Sequence, residues 1–172
     1  SFVVAGAGVS VAKHGNRSMT SKSGSADVLA ALGVDITLPP EKVSECIQNI
    51  GIGFMFAPSL HPAMKYAMGA RKALETRTVF NILGPLCNPA GVKRQLIGIF
   101  DGSLTDKVAK VLQRLGSTHA MVVHGNEGLD EISTTDDTKY TELTSNGEIK
   151  SGIFSPSSFG FSTTDLESLR GG

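Results

Sequence analysis

Residues 13–33 have the composition of an anion-binding loop that leads directly into a helix. The loop combines cations, hydroxyl groups and glycines, and the segment Ala-Asp-Val-Leu-Ala-Ala-Leu that follows is typical of a helix. Backbone N–H groups at a helix N-terminus bind anions, most often phosphate, especially with cations and hydroxyls beside them. The stretch therefore predicts a phosphate site, although a basic turn before a capped helix fits the same composition equally well.

Length and charge limit the classes of protein that fit. The 172 residues are enough for one domain with a real core. Sixteen basic and sixteen acidic residues cancel, so we expect neither nucleic acid nor membrane as a partner. The two cysteines, Cys46 and Cys87, lack the spacing of a zinc site or a disulfide scaffold, which favours free thiols in a reducing cytoplasm.

The order of the predicted elements indicates an α/β fold with a mainly parallel central sheet flanked by helices. A strand over 9–13 would deliver the loop at its carboxyl end, where open α/β sheets build ligand sites. Segments 95–100, 105–115 and 118–124 read as strand, helix and strand, which implies a right-handed parallel crossover. The tripeptide Ser-Asn-Gly at 145–147 separates two alternating segments and predicts a hairpin.

Three local features are also expected. The apolar residues 1–7 fit a short buried helix. A helix over 25–32 would begin at Ser23 or Ser25 as N-cap and end near Gly33. Residues 81–91, rich in proline and glycine, read as an ordered loop.

Four motifs extend the argument from the loop to nearly the whole chain. In order they are Lys13-His14-Gly15-Asn16-Arg17-Ser18 with residues 21–27; His61-Pro62-Ala63-Met64-Lys65; residues 77–86 with 88–91; and Val123-His124-Gly125 with Gly128-Leu129-Asp130-Glu131. The set resembles the anthranilate phosphoribosyltransferases, which join anthranilate to phosphoribosyl pyrophosphate (PRPP) in tryptophan biosynthesis. Four ordered motifs are far more specific than one glycine-rich loop.

The resemblance implies a reaction in which an amine displaces pyrophosphate from the anomeric carbon of a phosphoribosyl group. No covalent nucleophile is needed, because positioning and fixed charges stabilise an oxocarbenium-like transition state. The PRPP-binding residues implied by the family are Lys13, His14, Gly15, Asn16, Arg17, Ser18, Met19, Thr20, Ser21 and Ser25. Met19 and Thr20 depart from the small aliphatic residue and serine that are common in the family.

The resemblance also implies sites for the acceptor and a metal cofactor. Asn16 and Arg71 would bind anthranilate, whose carboxylate suits a guanidinium fork. Asp130 and Glu131 would hold Mg²⁺, which prefers oxygen ligands. Without the resemblance, each of these residues has a simpler explanation. Asn16 fits a left-handed turn, Arg71 fits a solvated helix surface, and Asp130 with Glu131 fits a solvated acidic loop.

The histidines are weaker candidates. His14 is the one that we consider for acid–base catalysis, although an aromatic amine is already nucleophilic near neutral pH. His61, His119 and His124 have no metal-ligand spacing, so we expect packing or capping roles for them.

The chain is expected to be an internal fragment. In the resembled family its first residue falls after the Gly-Thr-Gly-Gly-Asp turn that holds the pyrophosphate, and its last residue precedes the end of the large domain. We therefore expect residues 1–172 to form a single partial glycosyltransferase domain, truncated at both ends, with little turnover alone. A processed or metagenomic reading frame would explain the same ends. The full-length family member is usually a homodimer.

Two other functions remain open. Pyrimidine nucleoside phosphorylases share the fold and a related phosphate loop, but a nucleobase has no carboxylate to pair with Arg71. Relatives of the fold that bind nucleic acid use an added basic surface, against which the neutral net charge argues.

Overall fold

The computed structural model describes residues 1–17, 23–74, 76 and 78–169, with the backbone alone at 65, 68 and 70–72. Its contacts divide the chain into two compact units. Unit 1 covers Ser1–Ala90 and unit 2 begins at Gly91. The single domain expected from the sequence stays a prediction.

Unit 1 is built on two parallel strands. Its elements are α1 (Phe2–Gly6), β1 (Val11–Gly15), α2 (Ser25–Ala31), α3 (Pro40–Ile50), β2 (Ile52–Phe56), α4 (Ala57–Leu60), a 3-10 turn (Pro62–Met64), α5 (Lys65–Leu74) and α6 (Phe80–Leu86). The strands pair from Val11 opposite Ile52 to Gly15 opposite Phe56. Parallel pairing brings the carboxyl ends of both strands to one edge, where the predicted loop leaves β1.

Helix α3 packs closely on β2. A proline at its first position fixes φ for helix entry, and Gly51 (φ +77°) ends the helix in the left-handed region. A β-carbon at Gly53 would lie 2.6 Å from Cγ1 of Ile47 and 2.9 Å from the carbonyl oxygen of Val43. The missing side chain at Gly53 therefore allows the close approach of helix and strand.

Unit 2 is a four-stranded sheet with one long helix packed on it. Its elements are β3 (Arg94–Gly98), a 3-10 turn (Gly102–Leu104), α7 (Thr105–Arg114), β4 (His119–Gly125), β5 (Thr138–Leu143), β6 (Ile149–Phe154) and 3-10 turns at Pro156–Phe159 and Leu166–Leu169. The strand order is β3-β4-β5-β6. The predicted parallel crossover joins β3 to β4, and the predicted hairpin joins β5 to β6. The α/β class with parallel pairing is thus confirmed, while β4, β5 and β6 pair antiparallel.

The core of unit 2 lies between α7 and the sheet. The apolar residues of α7 recur at helical spacing, so one face of the helix is buried, with Val108, Ala109 and Leu112. This face packs on strand residues that are also buried, among them Val122 and Leu143. Two fully buried threonines pair within this core, the hydroxyl of Thr141 donating to that of Thr105 at 3.0 Å. Since an unpaired buried hydroxyl costs about 1–3 kcal/mol, the pairing stabilises the helix on the sheet.

Three local expectations need correction. Helix α1 forms but has no buried residue, and Val3 is 86% exposed, because none of the described elements covers it. The N-cap of α2 is Gly24, since the carboxylate of Asp27 accepts a hydrogen bond from its N–H at 2.9 Å. Residues 80–86 are helical, with Val79 as the N-cap. The first turn is stabilised by the N–H of Thr78, which donates to Oδ1 of Asn81 at 2.8 Å, and by the N–H of Asn81, which donates to the carbonyl oxygen of Thr78 at 2.9 Å.

None of the helices in the described ranges combines the length and apolar character needed to cross a bilayer.

Candidate functional site

The end of β1 and the start of α2 come together as the sequence predicts. Lys13, His14 and Gly15 are the last three residues of β1, Asn16 and Arg17 follow, and Ser25 opens α2. A β-carbon at Gly15 would lie 2.8 Å from the hydroxyl oxygen of Ser25. Four further predicted residues, Ser18, Met19, Thr20 and Ser21, lie outside the described residues. The described part of the loop therefore connects the carboxyl end of a strand to the start of a helix, as the sequence predicts.

Arg17 is held at the N-terminal turn of α2. Its guanidinium lies 2.9 Å from Oδ1 of Asp27, and its backbone N–H donates to Oδ1 of Asn16 at 2.8 Å. Side-chain ion pairs between exposed groups contribute little free energy, typically about 0–1 kcal/mol. A phosphate that binds Arg17 must compete with Asp27, and the weakness of an exposed pair permits that exchange.

His14 contacts a histidine from a distant part of unit 1. The Nε2 atoms of His14 and His61 are 3.1 Å apart, and the rings meet edge to face. One nitrogen must donate and the other accept, so the facing pair shares one proton. Burial lowers the pKa of His14, the nearby His61 lowers it further, and the backbone of Gly84 acts in the opposite direction with a smaller effect. The packing role expected for His61 therefore places it directly against a predicted site residue.

Replacing His61 by alanine is expected to raise the pKa of His14 towards its ordinary value of 6.5, because the mutation removes charge repulsion and part of the burial. In the parent, the unfolded chain binds the His14 proton more readily than the folded chain. The stability contributed by neutral His14 is therefore present above pH 6.5 and is lost as pH falls through the lowered folded pKa. Imidazole NMR titration and urea unfolding across this range measure both effects. His119→Ala, in unit 2, is the control, and an unchanged His14 titration in His61→Ala would contradict the assignment.

The predicted acidic pair lies in unit 2, in the loop between β4 and β5. Asp130 and Glu131 are both exposed. Among the described residues no group of three or more His, Cys, Asp or Glu side chains forms a metal cage. Mg²⁺ in phosphate sites keeps waters and takes one or two protein carboxylates, the phosphates supplying other ligands. The exposed pair fits that kind of site and does not fit a cage made by protein alone.

Strand β3 touches this loop through a glycine. A β-carbon at Gly98 would overlap the carbonyl oxygen of Asp130 and lie 2.5 Å from its carbonyl carbon. The backbone of the acidic pair is thus packed against the carboxyl end of β3. That end of the sheet is where α/β folds place ligand sites.

The sequence did not single out Glu127, which is the most engaged carboxylate in this loop. Its Oε1 accepts hydrogen bonds from the hydroxyls of Ser133 and Thr135, the latter at 2.5 Å. Its Oε2 is buried and has no hydrogen-bond partner among the described residues. Burial raises the pKa of Glu127, but the hydrogen bonds from the hydroxyls of Ser133 and Thr135 and from its own backbone, together with the nearby His124, lower the pKa below its ordinary value. Its place between two motif segments was the one signal that pointed to it.

The remaining two histidines make hydrogen bonds to distant residues of unit 2, where packing or capping was expected. His119 Nε2 lies 2.7 Å from Oε1 of Glu142 on the neighbouring strand. His124 Nδ1 donates to the carbonyl oxygen of Ile99 at 2.9 Å. Arg71 lies in α5, with its side chain outside the described part of the structure.

A family model described as "Glycosyl transferase family, a/b domain" matches residues 1–172. The chain belongs to this family. It is 58% identical over 171 residues to the anthranilate phosphoribosyltransferase of Afipia carboxidovorans and 56% identical over 172 residues to that of a Bradyrhizobium species. The first match covers 99% of this chain and 50% of the relative, and the second covers 100% of this chain and 51% of the relative.

Solved structures agree with this glycosyl transferase assignment. The anthranilate phosphoribosyltransferase of Thermus thermophilus matches with a TM-score of 0.88 and 43% identity, over 99% of this chain and 50% of that one. The Saccharomyces cerevisiae enzyme in complex with PRPP and Mg matches with a TM-score of 0.86 and 29% identity. This match covers 98% of this chain and 47% of the yeast chain. The resemblance drawn from the four motifs is confirmed. The chain spans about half the length of the curated relatives it matches.

In this glycosyl transferase domain, Gly98→Ala is expected to lower the free energy of unfolding by about 3 kcal/mol, because either β3 or the Asp130 backbone must move to accommodate the methyl group. Urea unfolding measures the loss. Gly6→Ala is the matched control, since a β-carbon at Gly6 meets nothing within 4 Å. Equal stabilities of the two variants would show that the loop and strand are not in close contact.

Proposed function

We propose that the protein containing this chain is an anthranilate phosphoribosyltransferase. It transfers the phosphoribosyl group of PRPP to anthranilate, giving N-(5'-phosphoribosyl)anthranilate and pyrophosphate in tryptophan biosynthesis. The observation that carries the proposal is 58% identity over 99% of the chain to a relative of that name. The matched stretch includes all four motifs, from the loop after β1 to the acidic pair.

On this proposal the loop after β1 binds PRPP. The ammonium group of Lys13 and the guanidinium of Arg17 neutralise phosphate oxygens, while the hydroxyl and backbone donors at the start of α2 orient them. Ser25 supports the loop, because its hydroxyl lies against Gly15. The residues Gly15, Asn16, Ser18, Met19, Thr20 and Ser21 complete this site.

Asn16 and Arg71 hold the acceptor in the proposal. A guanidinium fork pairs with the carboxylate of anthranilate through two parallel hydrogen bonds, which orients the amine towards the sugar. Support comes from a yeast relative solved in complex with 4-fluoroanthranilate. The lowered pKa of His14 favours its uncharged form, which is compatible with a transition state that develops positive charge on the sugar.

Asp130 and Glu131 are the residues that would hold Mg²⁺. When bound, the ion supplies positive charge that stabilises the departing diphosphate. The two exposed carboxylates match the small number of protein ligands that Mg²⁺ takes beside phosphates. A yeast relative solved in complex with PRPP and Mg, and a variant of it solved with Mg bound, support Mg²⁺ as the metal.

We also infer a cytoplasmic homodimer that binds neither nucleic acid nor membrane. The zero formal net charge supports the absence of nucleic acid and membrane partners, and the two free cysteines support the cytoplasm. The homodimer follows from the family resemblance alone. Sedimentation of the full-length protein tests the oligomeric state.

The test of function uses the natural reading frame that encodes this chain. Anthranilate fluorescence is followed with PRPP and Mg²⁺, and the product is identified by mass. We expect loss of fluorescence that needs both PRPP and Mg²⁺. Phosphorolysis of thymidine or uridine instead would favour a nucleoside phosphorylase, and salt-sensitive retention on single-stranded DNA without turnover would favour the nucleic-acid-binding alternative.

A further inference from the structure

The acidic pair lies in a short exposed span that is anchored on both sides. On the N-terminal side, the carbonyl of Leu129 accepts a hydrogen bond from the N–H of Gly125 at 2.8 Å. On the C-terminal side, the N–H of Ser133 donates to the hydroxyl of Thr138 at 2.8 Å. Ser133 and Thr138 are 6% and 0% exposed, so the second anchor belongs to the core of unit 2.

Glu127 connects the two anchors across the span. It lies in the turn closed by Gly125 and Leu129, and its Oε1 accepts the hydroxyls of Ser133 and Thr135. The hydroxyl of Ser133 is also the acceptor for the N–H of Thr135 at 2.9 Å. One carboxylate oxygen thus links the residues before the acidic pair to the residues after it.

The glycine before this turn makes the arrangement possible. A β-carbon at Gly125 would lie 2.7 Å from Oε2 of Glu127 and 3.3 Å from Cβ of Ser133. The carboxylate of Glu127 therefore lies against the end of β4. On an ordinary surface turn this side chain would extend into solvent. A carboxylate that gives up hydration for two hydroxyl hydrogen bonds fixes the conformation of both segments that it joins.

We propose that Glu127 is a positioning residue that holds Asp130 and Glu131 in the geometry needed to bind the magnesium ion of the PRPP complex. This inference rests on the proposed function. Groups that orient metal ligands through hydrogen bonds typically change metal affinity about 10- to 100-fold when removed. Glu127 acts through the backbone of the span, since its own hydrogen bonds go to Ser133 and Thr135.

The experiment measures binding of Mn²⁺, as a spectroscopic substitute for Mg²⁺, to the full-length protein with PRPP. Free Mn²⁺ is read by electron paramagnetic resonance, a readout independent of turnover. Glu127→Ala is expected to weaken Mn²⁺ binding about 10-fold and to raise the half-saturating Mg²⁺ concentration in the assay equally. The KM for anthranilate should stay within about threefold, because the acceptor is bound by residues of unit 1.

Two further variants separate positioning from stability. Glu127→Gln keeps an oxygen that accepts both hydroxyls but buries an NH₂ group at the position of Oε2, so we expect lower stability with Mn²⁺ affinity within about threefold of the parent. Thr135→Val removes one donor and should weaken Mn²⁺ binding less than Glu127→Ala does. The double variant of Thr135 and Glu127 should be no worse than Glu127→Ala alone, since both changes break one connection.

The matched control is Glu148→Ala, which removes a carboxylate of unit 2 that pairs with Lys150 in the hairpin and should leave Mn²⁺ affinity unchanged.

Two outcomes overturn the inference. One is unchanged Mn²⁺ affinity in folded Glu127→Ala, and the other is a loss of Mn²⁺ affinity in Glu127→Gln equal to that in Glu127→Ala. If Glu127→Ala does not fold, unchanged affinity in Thr135→Val overturns it. If Asp130→Asn with Glu131→Gln leaves Mn²⁺ binding intact, the metal assignment of the proposed function fails instead, and the positioning role fails with it.

Discussion

Changing Asp130 to Asn and Glu131 to Gln together is expected, on the proposed function, to lower kcat/KM for PRPP about 1000-fold, because two neutral amides would bind Mg²⁺ far more weakly than two carboxylates. Both side chains are exposed and both changes keep their shape, so we expect the fold and its stability to be retained. Steady-state rates over a range of PRPP at high Mg²⁺ measure the effect.

A second double variant controls for the change in net charge. Asp106→Asn with Glu148→Gln removes the same two charges from exposed ion pairs with Lys110 and Lys150, both in unit 2. We expect kcat/KM within about threefold of the parent, since neither residue belongs to the proposed site. If the variant of Asp130 and Glu131 kept more than about a tenth of the parent activity, the two carboxylates would not be the metal ligands.

Replacing Arg71 by alanine is expected, on the proposed function, to raise the KM for anthranilate about 100-fold, because the substrate carboxylate would lose its proposed charged hydrogen bonds. The KM for PRPP should change by less than about threefold, since the proposed PRPP site is the loop after β1. Arg71→Lys should fall between the parent and the alanine variant, as lysine keeps the charge but lacks the fork. Fluorescence titration of anthranilate gives the affinities directly.

Lys72 offers a matched control for this prediction. It is the next residue of α5 and carries the same charge, so Lys72→Ala removes one positive charge from the same helix. We expect little change in anthranilate affinity. Equal losses in the two alanine variants would indicate a general electrostatic effect and would contradict a specific role for Arg71.

Elements whose signals are local could be predicted from the sequence. Helix α3 begins at a proline and ends at a glycine with φ +77°, and the hairpin turns at the predicted Ser-Asn-Gly. Burial of α1 could not be predicted, because it depends on which elements lie beside the helix. The proline and glycine of the α6 segment predict a loop, but hydrogen bonds between Thr78 and Asn81 stabilise the first turn of a helix there.

The candidate site also combines local features that could be predicted with long-range contacts that could not. The sequence predicts the strand, loop and helix order that brings Gly15 near Ser25, because all three elements are adjacent in the chain. The contact between His14 and His61 joins residues 47 positions apart, and no local pattern connects them. Glu127 was missed for a related reason, since its proposed role rests on hydrogen bonds from two hydroxyls that follow the acidic pair and not on its own residue type.

The contact between Gly98 and Asp130 also bears on how the acidic loop moves. The loop faces solvent, yet its backbone packs on β3 and its first turn is closed by the buried N–H of Gly125. Segments joined to a sheet in this way open together with it, as one cooperative unit. The amide hydrogens of Gly125 and Ser133 should therefore exchange with solvent as slowly as those in the middle of β4. The exposed carboxylates of Asp130 and Glu131 would then be attached to backbone that moves as little as the sheet itself.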